Sequence, residues 1–269
     1  MEVTKMKFML CKSLEEKDIN KWFNLNPKYY RAEYKANIKY DGERIIAIIK
    51  DGEVTLVNRR GNIKNSNFKE VVESLKGLPN CMLDGEVITY CDTFNKLLKR
   101  SLTKDKFKQQ QLQKEIPVKY MVFDILQFKN ESIVDKELKD RLVFLKDIPV
   151  LSVEYGDIKE VYEKAKEEDR EGIIIKSMNS KYEQKRSFDW LKCKFFKETT
   201  LSVTKYTTNN AGIRVEDEDG NVVQVSGLQH KAVKEEIDKG GGCKIEVQYL
   251  EKTKKERLRN PSFRGIKNG

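Results

Sequence analysis

Apolar and polar positions along the chain change period several times, and each change marks an element. Over residues 34–60 the pattern is that of strands. Ile45-Ile46-Ala47-Ile48-Ile49 is a continuous apolar run, Val54, Leu56 and Asn58 alternate with Thr55 and Val57, and Asp51-Gly52 between them is a hairpin signal. Two tightly joined strands are the simplest reading. Nearer the amino end, Ser13-Leu14-Glu15-Glu16 has the form of a capping box and Ile19, Trp22 and Phe23 follow at helical spacing, which predicts an amphipathic helix over 13–23. Apolar residues three or four apart predict helices near 67–76, within 94–114, at 135–146 and at 158–168. Residues 82–89, 119–126 and 172–176 read as buried or half-buried strands between them. Beyond Lys197 short strands surround one helix near 230–239, an arrangement that suits a small Greek-key barrel of the oligonucleotide-binding type. The predicted fold class is α+β, antiparallel sheets with flanking helices over 1–197 and a β-barrel over 198–269.

At 269 residues, 38% of them hydrophobic, the chain can form one large core or two smaller ones without covalent staples. Lysine and arginine total 53 against 43 acidic residues, and the net charge of +10 favours a polyanionic partner such as nucleic acid. The five cysteines are scattered and contain no Cys-x-x-Cys pair, which argues against a disulfide framework or a zinc knuckle. Lysines interrupt the amino end, and no segment approaches the roughly 20 apolar residues that span a bilayer. A reducing, intracellular compartment without membrane attachment is expected. His230 is the only histidine, so a Ser-His-Asp or histidine–metal mechanism has little to work with. It is read as a residue at a helix start.

The candidate chemistry lies in a set of ordered segments. Lys39-Tyr40-Asp41-Gly42-Glu43-Arg44 is followed by Asn58-Arg59-Arg60-Gly61, Leu83-Asp84-Gly85-Glu86 and Phe123-Asp124. Arg141 and Leu145, Glu171-Gly172-Ile173-Ile174-Ile175-Lys176, Tyr182, Arg186-Ser187 and Trp190-Leu191-Lys192-Cys193-Lys194 come next. Arg259-Asn260-Pro261-Ser262-Phe263-Arg264-Gly265-Ile266-Lys267 closes the series. Alone, Asp-Gly is a turn signal that this chain also uses at Asp51-Gly52. Together, the order and spacing resemble the covalent nucleotidyltransferases, above all the ATP-dependent DNA ligases, from about residue 30 to the end. Two positions depart from the family pattern: Asn58 stands where serine or threonine is usual, and Lys267 where many relatives have arginine, whose planar fork suits phosphate better.

The resemblance implies a nucleotidyltransferase domain followed by an OB-fold domain, and a set of roles. Lys39 is the nucleophile that takes AMP from ATP, which requires a neutral amine although lysine's reference pKa is about 10.4. Arg44, Lys192 and Lys194, with a bound metal, are the nearby cations expected to disfavour the ammonium, and the two lysines are assigned to the α-phosphate. Ile38, Arg59, Phe123 and Ile175 complete the nucleotide pocket, Phe123 on one face of adenine and Ile175 or a neighbour on the other. Glu171 is the expected Mg²⁺ ligand, and Glu86 holds the ribose or a second metal. Arg259, Arg264 and Lys267 are expected to orient the leaving pyrophosphate, with a hinge over 197–201. The implied substrate is nicked duplex DNA and the implied state a monomer. No module is expected before the catalytic domain, and no long clasping loop in the barrel. The alternatives are an mRNA guanylyltransferase, disfavoured by the Arg259 to Phe263 segment, and an RNA ligase, disfavoured by the inferred barrel. A nucleic-acid-binding module without catalysis is countered by the lysine, both glutamates and the phosphate-contacting cations.

Overall fold

The computed structural model describes residues 7–23, 33–90, 94–253 and 256–267. The chain divides into two compact units, Met1–Cys193 and Lys194–Gly269. In the first, β1 (Leu10–Leu14) precedes α1 (Ile19–Phe23) and β2 (Tyr34–Ile38). Next come β3 (Glu43–Lys50), β4 (Glu53–Asn58), α2 (Lys69–Leu75) and β5 (Cys81–Thr89), then α3 (Phe94–Leu102) and α4 (Lys106–Glu115). The unit finishes with β6 (Val118–Phe128), β7 (Glu131–Ser132), α5 (Leu138–Lys146), α6 (Ile158–Glu167), β8 (Gly172–Ser177) and β9 (Arg186–Lys194).

These strands make two sheets, ordered β1-β9-β8-β2 and β4-β3-β5-β6-β7. The five-stranded sheet carries the larger core: Ile45, Ala47 and Ile49 of β3 pack with Leu56, Leu83, Val122, Phe68 and Leu75. A second cluster, Met9, Ile46, Met82, Leu126, Tyr182 and Trp190, draws residues from both sheets. The β3–β4 turn is as expected, with Asp51 and Gly52 both at positive φ (52° and 83°), the conformation that favours Asp-Gly in a two-residue hairpin. Asp157 caps α6, its Oδ1 accepting from the N–H groups of Lys159 and Glu160.

The amino end differs from expectation. Ser13 is in β1, opposite Lys192 in a parallel pairing with β9, and the helical part is confined to a 3-10 turn over Glu16–Asp18 that runs into the short α1. The capping-box signal is local, and pairing with β9, about 180 residues away, overrides it. Residues 34–60 hold three strands, not two. β2 pairs with β8, whereas β3 belongs to the other sheet, so the Lys39–Gly42 segment crosses between sheets. The helical structure expected within 94–114 takes the form of two helices, the second capped by Asp105, whose Oδ1 accepts from the Lys108 N–H at 2.7 Å.

The second unit is built on β10 (Lys197–Asn209), β11 (Gly212–Asp217), β12 (Val222–Val225), α7 (Gln229–Asp238) and β13 (Cys243–Tyr249). β14 (Glu251–Lys252), β15 (Leu258–Arg259) and β16 (Ser262–Ile266) complete it. Its main sheet runs β12-β11-β10-β13-β16, with Val203, Val215, Val223, Ile245 and Val247 in its core and Val233 of α7 packed on them. Residues 197–201, expected as a hinge, are laddered to β13 along their whole length. The free cysteines among the described residues are Cys11, Cys81, Cys193 and Cys243, and no described helix is long and apolar enough to cross a membrane. Cys91, Lys254 and Lys255 lie outside the described residues.

Candidate active site

Lys39 follows β2, and its N–H still reaches the Gly172 carbonyl at 2.9 Å, so it stands beside the start of β8. That places its amine on Glu171: Nζ donates to Oε2, and both side chains are largely buried. The chain then passes close over β5. A Cβ on Gly42 would meet the Val87 carbonyl oxygen at 2.3 Å, so the glycine of Lys-x-Asp-Gly is needed here for close approach, not for a turn.

Arg44 is committed elsewhere than expected. Its Nε and Nη2 donate to the two oxygens of Asp84 at 2.9 and 2.6 Å, and its Nη1 donates to the Met9 carbonyl at 2.6 Å. Its charge is paired with a fully buried carboxylate, which reduces what Arg44, expected among the cations near Lys39, can contribute there. Tyr182 shares the arrangement, donating its hydroxyl to Asp84 at 2.7 Å. Glu86 lies opposite Arg44 on β5. Burial pushes its carboxyl up to about 8, against the opposing pull of Lys39 and Arg44, so it is mostly protonated at neutral pH. A protonated carboxyl suits a hydrogen bond to a sugar hydroxyl better than it suits a metal.

Phe123, on β6, is half-buried between the sheets. Its ring lies 4.3 Å from Lys176 Nζ and 5.2 Å from Arg44 Cζ, and meets Trp190 edge-on with centroids 6.1 Å apart. Lys176 is buried, sits 3.9 Å from the Trp190 ring centre, and donates to the Tyr155 hydroxyl at 2.7 Å, which in turn donates to the Phe123 carbonyl at 2.7 Å. Burial pulls the Lys176 amine down to about 7.

Strand parity decides which apolar residue accompanies Phe123. Side chains alternate along β8, and Lys176 faces Phe123, so Ile174 shares that face while Ile175 points to the other, where it is wholly buried. Of the expected pair, Ile175 or a neighbour, the parity puts the neighbour Ile174 on the face of Phe123. By the same pairing Ile38, opposite Ile173, faces away from Phe123, and only its backbone is on the site's side of the chain. Asn37, opposite Ile174, shares the site's face. Its Nδ2 donates to the Ile38 carbonyl at 2.8 Å, and it is 4% exposed. Among the described residues, two buried side-chain atoms have no hydrogen-bond partner, Asn37 Oδ1 and Trp190 Nε1, and both belong to this inter-sheet region.

Lys192 and Lys194 alternate with Leu191 and Cys193 on β9, so they fall on the face of Trp190 and are half-buried. Arg59 is exposed on the turn after β4. Asn58 holds that turn: its Oδ1 accepts from the N–H groups of Arg60 and Asn62 at 3.0 and 2.9 Å, and its Nδ2 donates to Glu43 at 2.8 Å. The amide of Asn58, at the position where serine or threonine is usual, thus ties the turn to the segment after Lys39. In the second unit Arg259 donates to Glu251 at 2.8 Å, Arg264 is exposed, and Lys267 donates to the Thr200 hydroxyl at 3.0 Å.

The structure thus brings together Lys39, Glu171, Glu86, Arg44 and Phe123, and adds Asn37, Ile174, Lys176 and Tyr155, which sequence reasoning missed. Parity along β2, counted from Lys39, could have found Asn37, whereas Ile174 and Lys176 are out of phase with Glu171 and become identifiable only in the assembled sheet. Tyr155 carries no local signal. A test of the Lys176 environment follows from its titration. Unfolded, the amine is charged up to its usual value; folded, it is neutral above about 7, so it binds fewer protons folded and its contribution to stability rises with pH across that window. The stability difference between the parent and Lys176→Met, read from urea unfolding, should therefore grow by roughly 1–3 kcal/mol from pH 7 to pH 9. Because Glu86 titrates in both proteins, it cancels. A difference that stays flat would refute the buried neutral amine.

Residues 8–194 match the model of the ATP dependent DNA ligase domain, and the chain belongs to that family. It is 30% identical over 214 residues to the bifunctional non-homologous end joining protein LigD of Bacillus subtilis, covering 68% of this chain and 35% of LigD. It is 29% identical over 255 residues to the SPbeta prophage-derived DNA ligase-like protein LigB of the same organism, covering 86% and 91%. The chain therefore spans about a third of LigD and nearly all of LigB. Among solved structures, mycobacterial DNA ligase D complexed with ATP and MES superimposes with a TM-score of 0.60 at 18% identity, covering 99% of this chain and 96% of that one, which shows a shared fold.

Proposed function

We propose that the protein is an ATP-dependent DNA ligase that seals 5′-phosphate/3′-hydroxyl nicks in duplex DNA as an intracellular monomer, with Lys39 as its adenylated residue. The observation that carries this reading is the placement of Lys39 against Glu171, beside the strand face that carries Asn37, Ile174 and Lys176 and that meets Phe123. Membership of the ligase family supports it. The Lys39 amine attacks the α-phosphorus of ATP and the bond to pyrophosphate breaks. The AMP then passes to the 5′-phosphate at the nick, and the 3′-hydroxyl attacks that activated phosphorus, releasing AMP. Lys192 and Lys194 neutralise charge on the phosphoryl oxygens, where position and electrostatics matter most.

The residues present fit Mg²⁺. No three acidic, histidine or cysteine side chains converge among the described residues, and Mg²⁺ needs no such cage, since it keeps several waters and takes phosphate oxygens beside one or two carboxylates. Glu171 is the carboxylate for it, with Glu86 on the ribose. The bound ion would neutralise charge on the phosphates. The second unit is read as an OB-fold that supplies Arg259, Arg264 and Lys267 to the leaving pyrophosphate. For Arg259 this means exchanging Glu251 for phosphate.

Asn37 bears on base binding. Its Oδ1, which has no partner in the structure, is an acceptor that a base donor such as the exocyclic amine of adenine satisfies. Incubated with Mg²⁺ and α-labelled nucleotide, the protein should take covalent label from ATP and not from GTP, and should then seal a nicked duplex. Asn37→Ala should raise the ATP concentration for half-maximal labelling about three- to tenfold. Label from GTP in preference to ATP, or a labelled protein that leaves every nick open, would overturn the assignment.

A further inference from the structure

Strand β9 carries a feature that the adenylation chemistry leaves unused. Its pairing with β1 passes directly from Cys11 opposite Ser187 to Lys12 opposite Leu191, so Phe188, Asp189 and Trp190 are extra residues with no partner on β1. Bulges of this kind re-aim side chains. Here the Ser187 hydroxyl donates to Asp189 at 3.0 Å and accepts from the Asp189 N–H at 3.1 Å, which fixes the shape of the bulge. The result is a sharp division. Trp190 turns inward, 1% exposed, against Phe123 and Lys176, whereas Phe188 turns outward and is 74% exposed.

The exposed ring is flanked by cations. Lys12 Nζ lies 4.7 Å from its centre, and Arg186, two residues earlier on the strand, is exposed and donates one Nη1–H to the Cys11 carbonyl at 2.5 Å, which holds the guanidinium beside the bulge. The neighbouring carboxylates are engaged: Asp189 with Ser187, and Glu183 with Lys185 at 3.0 Å. A large apolar ring on a rigid bulge, flanked by positive charge in a chain of net charge +10, matches a polyanion that also offers flat faces.

We propose that Phe188, with Lys12 and Arg186, is a contact for a nucleic-acid strand, in which a base or sugar packs on the ring and backbone phosphates pair with the two cations. The inference rests on the ligase reading and extends the nick-binding surface to the outer side of the strand whose inner side backs the nucleotide pocket. The experiment is a titration of a fluorescent nicked duplex into the Lys39-adenylated protein, followed by anisotropy at several salt concentrations. Phe188→Ala should weaken binding about fivefold to fiftyfold while labelling by ATP and the thermal midpoint stay at parental values, and Phe188→Trp should bind as the parent does. Lys12→Met should lower the slope of binding against salt by about one. Parental binding by Phe188→Ala, or loss in Phe188→Trp equal to that in Phe188→Ala, overturns the contact. A parent protein that takes no label from ATP sinks the ligase reading instead, so the two failures are told apart.

Discussion

Lys39→Ala should take no label from ATP, a loss of roughly 10⁴-fold or more in the rate of self-adenylation, because no other side chain can replace the atom that forms the phosphoramidate bond. The alanine variant alone is ambiguous, since it also leaves Glu171 without the amine that it now accepts from. Lys39→Arg resolves this. A guanidinium keeps the positive partner for Glu171 but is not a nucleophile at any ordinary pH, so it should be as inert as alanine while its thermal midpoint stays close to the parent's. A nick that already carries AMP on its 5′-phosphate gives the complementary measurement. Joining such a nick no longer needs the lysine as nucleophile, and both variants should still seal it. Labelling of either variant at the parental rate would remove Lys39 from the mechanism, and failure on the pre-adenylated nick would show that the side chain also acts in the final step.

Much of this site was legible because the chemistry-bearing residues lie at strand ends, where short motifs and strand periodicity coincide. Glu171 precedes β8, Glu86 lies near the end of β5, and Lys39 follows β2, so each motif could be tied to a predicted element or its edge. What could not be read is of two kinds. Parity within a run of like residues is invisible to periodicity: Ile173-Ile174-Ile175 offers three equivalent candidates, and only the contact of Lys176 with Phe123 identifies Ile174 as the one on the site's face. Partners distant in sequence are invisible as well. Ser13 forms part of a strand because β9 is there to pair with it, and Arg44 meets Asp84 because β3 and β5 are neighbours. The Arg44 side chain was expected to lend its charge to Lys39; the carboxylate beside it could be seen only once the sheet was assembled.

The largest stability effect is expected at a pair one residue from the aromatic of the site. Arg141 and Asp124 are both 0% exposed and joined by two parallel bonds, Nε to Oδ1 at 2.8 Å and Nη2 to Oδ2 at 2.7 Å. Nη1 donates to the carbonyls of Lys136 and Ser180 at 2.7 and 3.0 Å, and Asp124 Oδ1 also accepts from the Ile125 N–H. The pair therefore ties β6 beside Phe123 to α5 and to the segment after β8. Its net worth against an apolar replacement is small, because both ions have lost their water, but its members cannot be removed singly. Asp124→Ala should cost roughly 3–5 kcal/mol in urea unfolding, since it leaves a buried guanidinium with only carbonyl partners. Asp124→Leu combined with Arg141→Met, which removes both charges at similar volume, should recover most of that loss. ATP labelling should then separate the two functions of this corner. If the pair serves only to hold β6, the double variant labels at a nearly parental rate. If its geometry also sets the Phe123 backbone, the ATP requirement rises even though stability has returned. A single Asp124→Ala substitution that unfolds like the parent would mean that Arg141 finds other compensation, and that the α5–β6 anchor is not electrostatic.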